Sequence, residues 1–510
     1  MKKVTAVLFL IGLVSVFSFS EELVISNSSH MYNLDPHTAN YADEAQLFSG
    51  LYEGLFSYDP RTLEPVPGVA EGFKISRDKR TWTFTIRENA KFSNGEAITA
   101  QSVVDSWKAL LDLRKNAPFS SMLDFVLGYK EYRVGQQTDF SKLGFRVADD
   151  RTLVVTLRSP TEHFSKILCH HAFSVVHPDK NVFSGAFVIQ ENSMQQIVLG
   201  KNPHYWDNAA VELDKITVLL TDDPAENTQA FNRGEIHWLA GDMNAEQILD
   251  QRAVLVSMQF GTEFLFFKTD MPLVNNEDFR NALLYALDWN KLREKSLKKA
   301  ETLVSPFLGY PEVLGLGDQD LIMAKSLLEK SGYNAEKSAP IIIFLPNDEY
   351  SVGKGQLLVD CWKQIGVNVR LQTTEISRYL DEVSTSPAHV FSYIWIADFA
   401  DPLAFLELFR GSSNLNESRW SSKQFDYLLE KAAQTRDQKE RLKKLAEAEQ
   451  VLLDSGVIMP ISHTISLNVV DLSVVSGWYD NALDIHPFKY IKLKKAAPPN
   501  NLVRMVEVRQ

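Results

Sequence analysis

The stretch that decides the fold is TWTFTIRENAKFSNG, which occupies residues 81–95. Its first half alternates polar and apolar residues, which predicts a half-buried strand with Trp82, Phe84 and Ile86 facing inward. The residues SNG that follow supply turn chemistry, and Thr99 is a suitable N-cap for a helix. A strand that leads through a turn into a helix indicates α/β structure.

Predicted strands and helices alternate over nearly the whole chain. This alternation predicts α/β domains with mixed or parallel sheets. Because 510 residues exceed what one hydrophobic core usually serves, two or three domains are expected. The segment 115–142 is predicted to be polar and irregular. The predicted strands are 22–26, 81–87, 152–157, 185–189, 196–199, 211–220, 263–267, 341–345, 367–371 and 389–396, and the predicted helices are 42–56, 100–111, 225–233, 276–287, 321–331, 355–365 and 436–453.

The first twenty residues have the composition of a secretory signal peptide. A basic head, MKK, precedes the apolar run 4–17, and small residues precede a cut between Ser20 and Glu21. The apolar run is shorter than the roughly 20 residues that cross a bilayer, which disfavours a retained anchor. No cysteine lies near the cut, so the lipoprotein route is not expected. The sequence predicts an exported protein that is free in its compartment.

Charge and cysteine content exclude some classes of partner and of stabilisation. Removal of Lys2 and Lys3 with the signal peptide leaves 51 basic and 65 acidic residues, a net charge of −14. This balance disfavours nucleic acid and anionic membranes as partners. With only Cys169 and Cys361, disulfides are not expected to hold the protein together.

A second informative stretch is YIWIADFADP, residues 393–402. Here a buried strand is predicted to run out into a turn with two carboxylates beside large aromatic residues. A carboxylate in an apolar wall needs a cationic or hydrogen-bonding partner, which either the protein or a ligand supplies. Asp398 is therefore either the cap of the helix that begins at Pro402 or a ligand anchor, whereas Asp401 is interpreted as turn and cap.

Recognisable catalytic motifs are missing from the sequence. There is no G-x-S-x-G elbow, no H-E-x-x-H and no Gly-rich phosphate loop. The one group of residues with metal-ligand chemistry contains Cys169, His170 and His171, with His163 and His177 nearby. In a strand, neighbouring histidines point to opposite faces, so the favoured interpretation is that these residues are unrelated, and a metal or ligand role stays open.

Several blocks together resemble one family. In order along the chain they are PGVAEG (67–72), the stretch 82–95, VVDSW (103–107), GAF (185–187), KNPHYWD (201–207), LDKI (213–216), FRNAL (279–283) and ALD (286–288). These blocks are similar to those of the bacterial extracellular solute-binding proteins of the oligopeptide-binding type, which deliver ligands to ABC importers. The resemblance covers nearly all of the mature chain.

The resemblance implies an α/β fold of the periplasmic-binding-protein type II-like class, with two lobes around a hinged cleft and an extra small domain. It implies a discontinuous domain I (21–58, 177–260 and 473–495), a domain II (59–176) and a domain III (261–472). The composition of the two ends adds the signal peptide (1–20) and a polar tail (496–510). Since the two cysteines then fall in different domains, both are expected to be free thiols.

The resemblance also implies how a ligand is held. In the family, a peptide lies between domains I and III, and the Asp of a W-x-A-D turn pairs with its α-ammonium. Trp395-Ile396-Ala397-Asp398 matches that turn, so Asp398 is expected to hold the amine and Trp395 to wall a side-chain pocket. Main-chain hydrogen bonds to the peptide are expected from Ile394, Ile396, Ser29, His30 and Met31.

The sequence differs from the family pattern in two places, which limits how far the ligand contacts of the family can be assigned to this chain. Some relatives place an Arg shortly before this turn to meet the ligand carboxylate, but the corresponding residues 389–392 include no Arg or Lys. The connection from His177 to Gly185 is also unusually short. The expectation is a monomeric periplasmic protein that binds peptides and docks transiently on an ABC permease, without cofactor, catalysis or nucleic acid. Dipeptides, cell-wall peptides, metal chelates and haem stay open as ligands, as does a chaperone-like or adhesion role.

Overall fold

The computed structural model describes residues 21–39, 41–112, 114–115, 117–161 and 163–494. The predicted signal peptide (1–20) and the predicted polar tail (496–510) lie outside the described residues. Within the described ranges, no helix is long and apolar enough to cross a membrane.

Strands and helices alternate as the sequence predicts. The strands are β1 (Glu22–Asn27), β2 (Phe56–Tyr58), β3 (Pro65–Pro67), β4 (Ala70–Ile75), β5 (Thr81–Ile86), β6 (Phe145–Asp149), β7 (Thr152–Thr156), β8 (Phe187–Asn192), β9 (Gln196–Lys201), β10 (Lys215–Leu220), β11 (Trp238–Leu239), β12 (Val254–Phe267), β13 (Ile341–Pro346), β14 (Val369–Thr374), β15 (Val390–Ile396), β16 (Ile458–Val470), β17 (Val475–Ser476) and β18 (Lys492–Leu493). The helices are α1 (Ala42–Leu51), α2 (Ala100–Leu110), α3 (Tyr129–Arg133), α4 (Phe164–Ile167), α5 (Pro224–Asn232), α6 (Glu277–Tyr285), α7 (Trp289–Leu292), α8 (Leu321–Lys330), α9 (Glu349–Gln364), α10 (Ile376–Val383), α11 (Leu403–Leu406), α12 (Lys423–Gln434) and α13 (Gln438–Asp454).

The largest sheet among the described residues is a mixed sheet of ten strands. Its strand order is β14-β13-β15-β12-β16-β11-β1-β10-β9-β8. β1 pairs parallel with β10, and β13 pairs parallel with β14, whereas β12 pairs antiparallel with both β15 and β16. The predicted combination of α/β alternation with a mixed sheet is confirmed.

The long strands β12 and β16 join the two halves of this sheet. Their pairing shifts register between Met258 and Thr262, so the ladder is interrupted in the middle of both strands. Gly261 lies in the interruption, where an added Cβ would be 2.3 Å from Thr464 Oγ1 and 2.9 Å from Trp395 O. The predicted boundary between domains I and III, at 260/261, coincides with this interruption and stays a prediction.

The strand predicted at 81–87 is β5, which is one of the two central strands of a second, four-stranded sheet. The order is β4-β5-β7-β6, and β5 buries Trp82, Phe84 and Ile86 as predicted. The side chain of Thr99 accepts a hydrogen bond from Ser102 N–H and caps α2, which confirms the predicted N-cap. This sheet lies within the range predicted for domain II (59–176), although the boundaries of that domain stay a prediction.

A buried ionic cluster connects the KNPHYWD block (201–207) to Glu53, which lies just after helix α1. Glu53 accepts hydrogen bonds from Tyr205 Oη at 2.7 Å, Trp206 Nε1 at 2.5 Å and Lys489 Nζ at 2.6 Å. Glu53 and Lys489 are almost fully buried. Because a buried charge needs a partner and hydrogen bonds, this cluster fixes three distant segments relative to one another.

Some predictions about local structure are wrong. Helix α1 ends at Leu51 rather than at residue 56, because Tyr52 is extended and the chain then enters β2. The segment 115–142 is not irregular, since it contains α3 and buries apolar side chains such as Phe119, Leu123 and Val126. The strand predicted at 263–267 is longer because β12 starts at Val254.

Cys169 and Cys361 are both free thiols, as predicted. Cys169 lies in the loop after α4 and Cys361 lies within α9. The protein is therefore held together by its cores and polar clusters rather than by a disulfide.

We expect Lys489→Ala to destabilise the protein by about 3–5 kcal/mol, because it leaves the buried Glu53 carboxylate without its cation. Urea unfolding followed by circular dichroism measures the change. The matched control is Lys492→Ala, which breaks the exposed pair with Glu212 and should cost under about 1 kcal/mol. Similar losses for both variants would contradict a special role for the cluster.

Candidate ligand-binding site

A cavity of about 180 Å³ lies where five parts of the chain meet. Its lining comes from residues within 41–58, from Phe119 and residues within 169–174, from the end of β15 at 394–398, and from residues within 483–487. Most of the wall is apolar or aromatic, including Phe48, Phe56 and Trp395. Such a largely apolar cavity with a few polar groups is typical of a small-molecule or peptide-end site.

The end of β15 offers the cavity an uncovered strand edge. Ala397 N–H donates to Phe260 O at 2.8 Å at the start of the pairing with β12. Since backbone groups alternate in direction along a strand, those of Ile394 and Ile396 point away from β12. On that side β13 pairs with β15 only at Val390. Two main-chain positions are thus available to a ligand where the sequence predicted them.

Asp398 lies at the exit of β15, on the cavity wall, and its side chain is only 10% exposed. No other described residue donates a hydrogen bond to its carboxylate. His170 Nε2 lies 3.2 Å from Asp398 Oδ1 but is not aligned for a hydrogen bond to it, and Tyr58 Oη donates to the main-chain oxygen of Asp398 at 3.0 Å. Burial raises the pKa of Asp398 to about 8. The group is therefore a buried carboxyl whose negative charge has no cation beside it.

The two histidines beside Asp398 are neutral, and their hydrogen bonds define their tautomers. Ala172 N–H donates to His170 Nδ1 at 3.3 Å, so the ring hydrogen of His170 is on Nε2, the nitrogen next to Asp398. His171 Nδ1 lies 2.9 Å from Pro36 O and donates to it, which leaves His171 Nε2 as an acceptor. Burial lowers the pKa of His170 to about 3 and that of His171 well below its usual value.

Asp401 has a different environment, although it is three residues further along the same turn. Its Oδ1 accepts from Leu403 N–H at 3.0 Å, which confirms the predicted turn, whereas the N-cap residue of α11 is Pro402 rather than Asp401. The guanidinium of Arg441 binds both carboxylate oxygens, at 2.7 and 2.8 Å, an ion pair that the sequence did not predict. Burial opposes ionisation of Asp401, but the hydrogen bonds and charge of Arg441 outweigh it and lower the pKa of Asp401.

The predicted site residues fall into two groups. Ile394, Trp395, Ile396 and Asp398 all line the cavity, and Trp395 Nε1 donates to a main-chain oxygen of α11 at 3.1 Å. Ser29, His30 and Met31 are absent from the described lining.

His30 instead pairs with Asp43 at 2.7 Å and packs against Tyr41, which does line the cavity, with 4.7 Å between ring centroids. Met31 is 84% exposed. A ligand role for residues 29–31 stays a prediction.

Comparison with known families decides the class of protein. The family model described as bacterial extracellular solute-binding proteins, family 5 middle, matches residues 64–417, well over half of the chain. The chain belongs to this family.

Two other members of family 5 show the extent of the similarity. The dipeptide-binding protein DppE of Bacillus subtilis is 28% identical over 506 residues, covering 93% of this chain and 91% of the relative. The structure of the Escherichia coli murein tripeptide binding protein MppA is 28% identical, covers 93% of this chain and 99% of that chain, and has a TM-score of 0.83. The multidomain, mixed α/β fold of periplasmic binding proteins expected from the sequence is therefore confirmed.

The unliganded open form of MppA fits less well. Its TM-score is 0.63 at 27% identity, with 93% of this chain and 97% of that chain covered. The two comparisons cover the same share of this chain, so the structure resembles the first MppA structure more closely than the unliganded open form.

Two residues of the cavity wall that the sequence did not place at the site are His170 and His171. His170 and His171 are not in a strand, because the chain forms a 3-10 turn at His171–Phe173, and their rings lie 4.1 Å apart on the cavity wall. The assumption that the two histidines lie in a strand and point to opposite faces is therefore wrong, and a ligand role for them stays open. His163 and His177 do not line the cavity, and the described residues contain no group of three or more side chains placed to hold a metal ion.

Asp398 and Asp401 predict opposite effects of pH on the ligand-free protein. The raised pKa of Asp398 means that its contribution to stability is present at low pH and is lost as pH rises from about 4 to 8. The lowered pKa of Asp401 means that its contribution is present above about pH 4 and is lost on acidification. Asp398→Asn should therefore raise the melting temperature at pH 8 more than at pH 5, whereas Asp401→Asn should lower it at both values.

Melting temperatures of both variants and of the parent protein, measured from pH 5 to pH 8 after ligand removal under denaturing conditions, check this prediction. Asp250→Asn, at an exposed position, is the control for a neutral amide elsewhere. A loss of stability at pH 8 in Asp398→Asn would contradict the assignment of Asp398 as an uncompensated carboxyl.

Proposed function

We propose that this protein captures peptides by their free amino terminus in the cavity beside Asp398, as the solute-binding component of an ABC importer. The observation that carries the proposal is the buried Asp398 carboxylate, which receives no hydrogen bond from another described residue and faces only a neutral imidazole. The relatives DppE and MppA, named for binding dipeptides and a murein tripeptide, support the choice of peptides as ligands.

An ammonium group is the ligand feature that this site lacks. A bound α-ammonium supplies Asp398 with a charge-assisted hydrogen bond and favours the ionised carboxylate, which burial alone disfavours. The pairing is strong because water is largely excluded there. Since the carboxyl of the empty closed site has a pKa of about 8, binding an ammonium near neutral pH is accompanied by proton release.

The uncovered edge of β15 supplies affinity that does not depend on ligand sequence. The main-chain groups of Ile394 and Ile396 are directed away from β12, and an extended peptide adds to such an edge through its own backbone. Trp395 contributes an aromatic wall beside this edge. Ser29, His30 and Met31 are proposed as main-chain contacts from the opposite lobe.

Closure of the lobes completes the site. Asp398 lies in the range proposed for domain III, whereas His170 lies in the range proposed for domain II and Tyr58 at the end of the first segment of domain I. Their contacts with Asp398 therefore form when the lobes come together. The interrupted pairing of β12 and β16 is a suitable hinge, because few ladder hydrogen bonds must change there.

The remaining features of the proposal follow from family and composition. The protein is exported, acts as a monomer and presents its closed form to a membrane permease. Its negative net charge disfavours nucleic acid as a partner. Family 5 consists of solute-binding proteins, and we propose neither catalysis nor a cofactor.

The amine requirement is tested with matched peptides. For a hexapeptide such as Ala-Ala-Gly-Ser-Gly-Ser, acetylation of the amino terminus should weaken binding by about a hundredfold or more, because it removes one member of a buried charge pair. Asp398→Asn should cause a similar loss for the free peptide but little further loss for the acetylated one. Calorimetry measures both effects, with Asp250→Asn as control. Equal affinities of free and acetylated peptide would remove Asp398 from the site.

Transport is distinguished from a chaperone-like or adhesion role by what the purified protein carries. Native mass spectrometry of the exported protein should detect a co-purifying small ligand, and added peptide should raise the melting temperature of protein stripped of that ligand. Absence of both effects would contradict a solute-binding role.

A further inference from the structure

The ionisable lining residues of the cavity, apart from its histidines, tyrosines and cysteine, are all acidic. Among the described residues that line it, Glu53 and Asp398 carry carboxylates, and none is a lysine or an arginine. Glu53 is already neutralised by Lys489 and also accepts from Tyr205 and Trp206. Asp398 is therefore the one acidic lining group without a cation, and it becomes negative when it pairs with a ligand amine.

The histidines do not substitute for a cation. His170 is held neutral by the hydrogen bond from Ala172 N–H to its Nδ1, and its ring hydrogen is on the nitrogen next to Asp398. His171 directs its hydrogen to Pro36 O, away from any ligand, and presents only a lone pair at Nε2. A ligand carboxylate near either ring would meet an acceptor or the negative field of Asp398.

The hydroxyl groups of the wall offer little more. Tyr58 and Ser49 already donate to main-chain oxygens. Tyr41, Ser57 and Ser174 remain as neutral donors on the wall. Single hydroxyls satisfy the carbonyl oxygens of a peptide, whereas a buried carboxylate needs a cation or several N–H donors that converge on it.

We propose that the cavity selects ligands by the absence of a carboxylate as well as by the presence of an amine. Resting on the proposed function, this inference narrows the substrate class to peptides whose free amino-terminal end enters the cavity while the carboxyl terminus stays outside it. In free amino acids and dipeptides the carboxylate is so close to the amine that it would enter the cavity as well. We therefore expect the cavity not to bind them. A protein with this preference binds longer peptides and does not bind free dipeptides.

The test compares acids with amides of the same peptide. Dialanine and dialanine amide both compete, in calorimetry, against the bound hexapeptide Ala-Ala-Gly-Ser-Gly-Ser. The amide should bind about tenfold or more tightly than the acid. For the hexapeptide the acid and amide forms should agree within about twofold, because its carboxyl terminus is far from Asp398.

Three results overturn the inference: equal binding of dialanine and its amide, tighter binding of the acid, or failure of the amide to compete. The acetylated hexapeptide is measured in the same series. If acetylation abolishes binding while dialanine and its amide are equal, only the carboxylate exclusion fails. If acetylation has no effect, the amine anchor fails and the proposed function fails with it.

Discussion

The site depends on one constraint, the burial of the Asp398 carboxylate without a cation. Burying such a group costs free energy that a protein usually offsets with an ion pair or several hydrogen bonds. Here the protein supplies a neutral histidine at 3.2 Å and no hydrogen bond from another described residue. Under the proposed function, the missing partner is the ammonium group of a ligand, and its binding offsets this cost.

The contrast with Asp401 shows that this arrangement is specific. Both carboxylates lie on one turn and both are buried, yet Arg441 binds Asp401 through two hydrogen bonds while Asp398 is left facing the cavity. The fold thus satisfies the carboxylate that holds the turn in place and leaves the other unsatisfied. The ion pair between Arg441 and Asp401 holds the turn in place and thereby fixes the position of Asp398.

Local patterns predicted much of this structure, and contacts between distant segments explain the rest. The alternation around Trp82 and the capping residue Thr99 are local features, so the strand and the helix cap could be predicted from short stretches. The role of Asp398 as an amine anchor stays a proposal. The neighbouring His170 could not be predicted in this way, because periodicity does not tell which surfaces of two lobes meet. The same holds for Arg441, which lies in a helix rich in charged residues, and for Glu53, whose cationic partner Lys489 lies near the other end of the chain.

A crystal structure of the protein with a bound peptide tests the central claim most directly. The account predicts the α-nitrogen of the ligand within about 2.7–3.2 Å of an Asp398 carboxylate oxygen, with the peptide backbone hydrogen-bonded to Ile394 or Ile396. A bound peptide whose amine contacts other groups, while Asp398 still faces only His170, would contradict it.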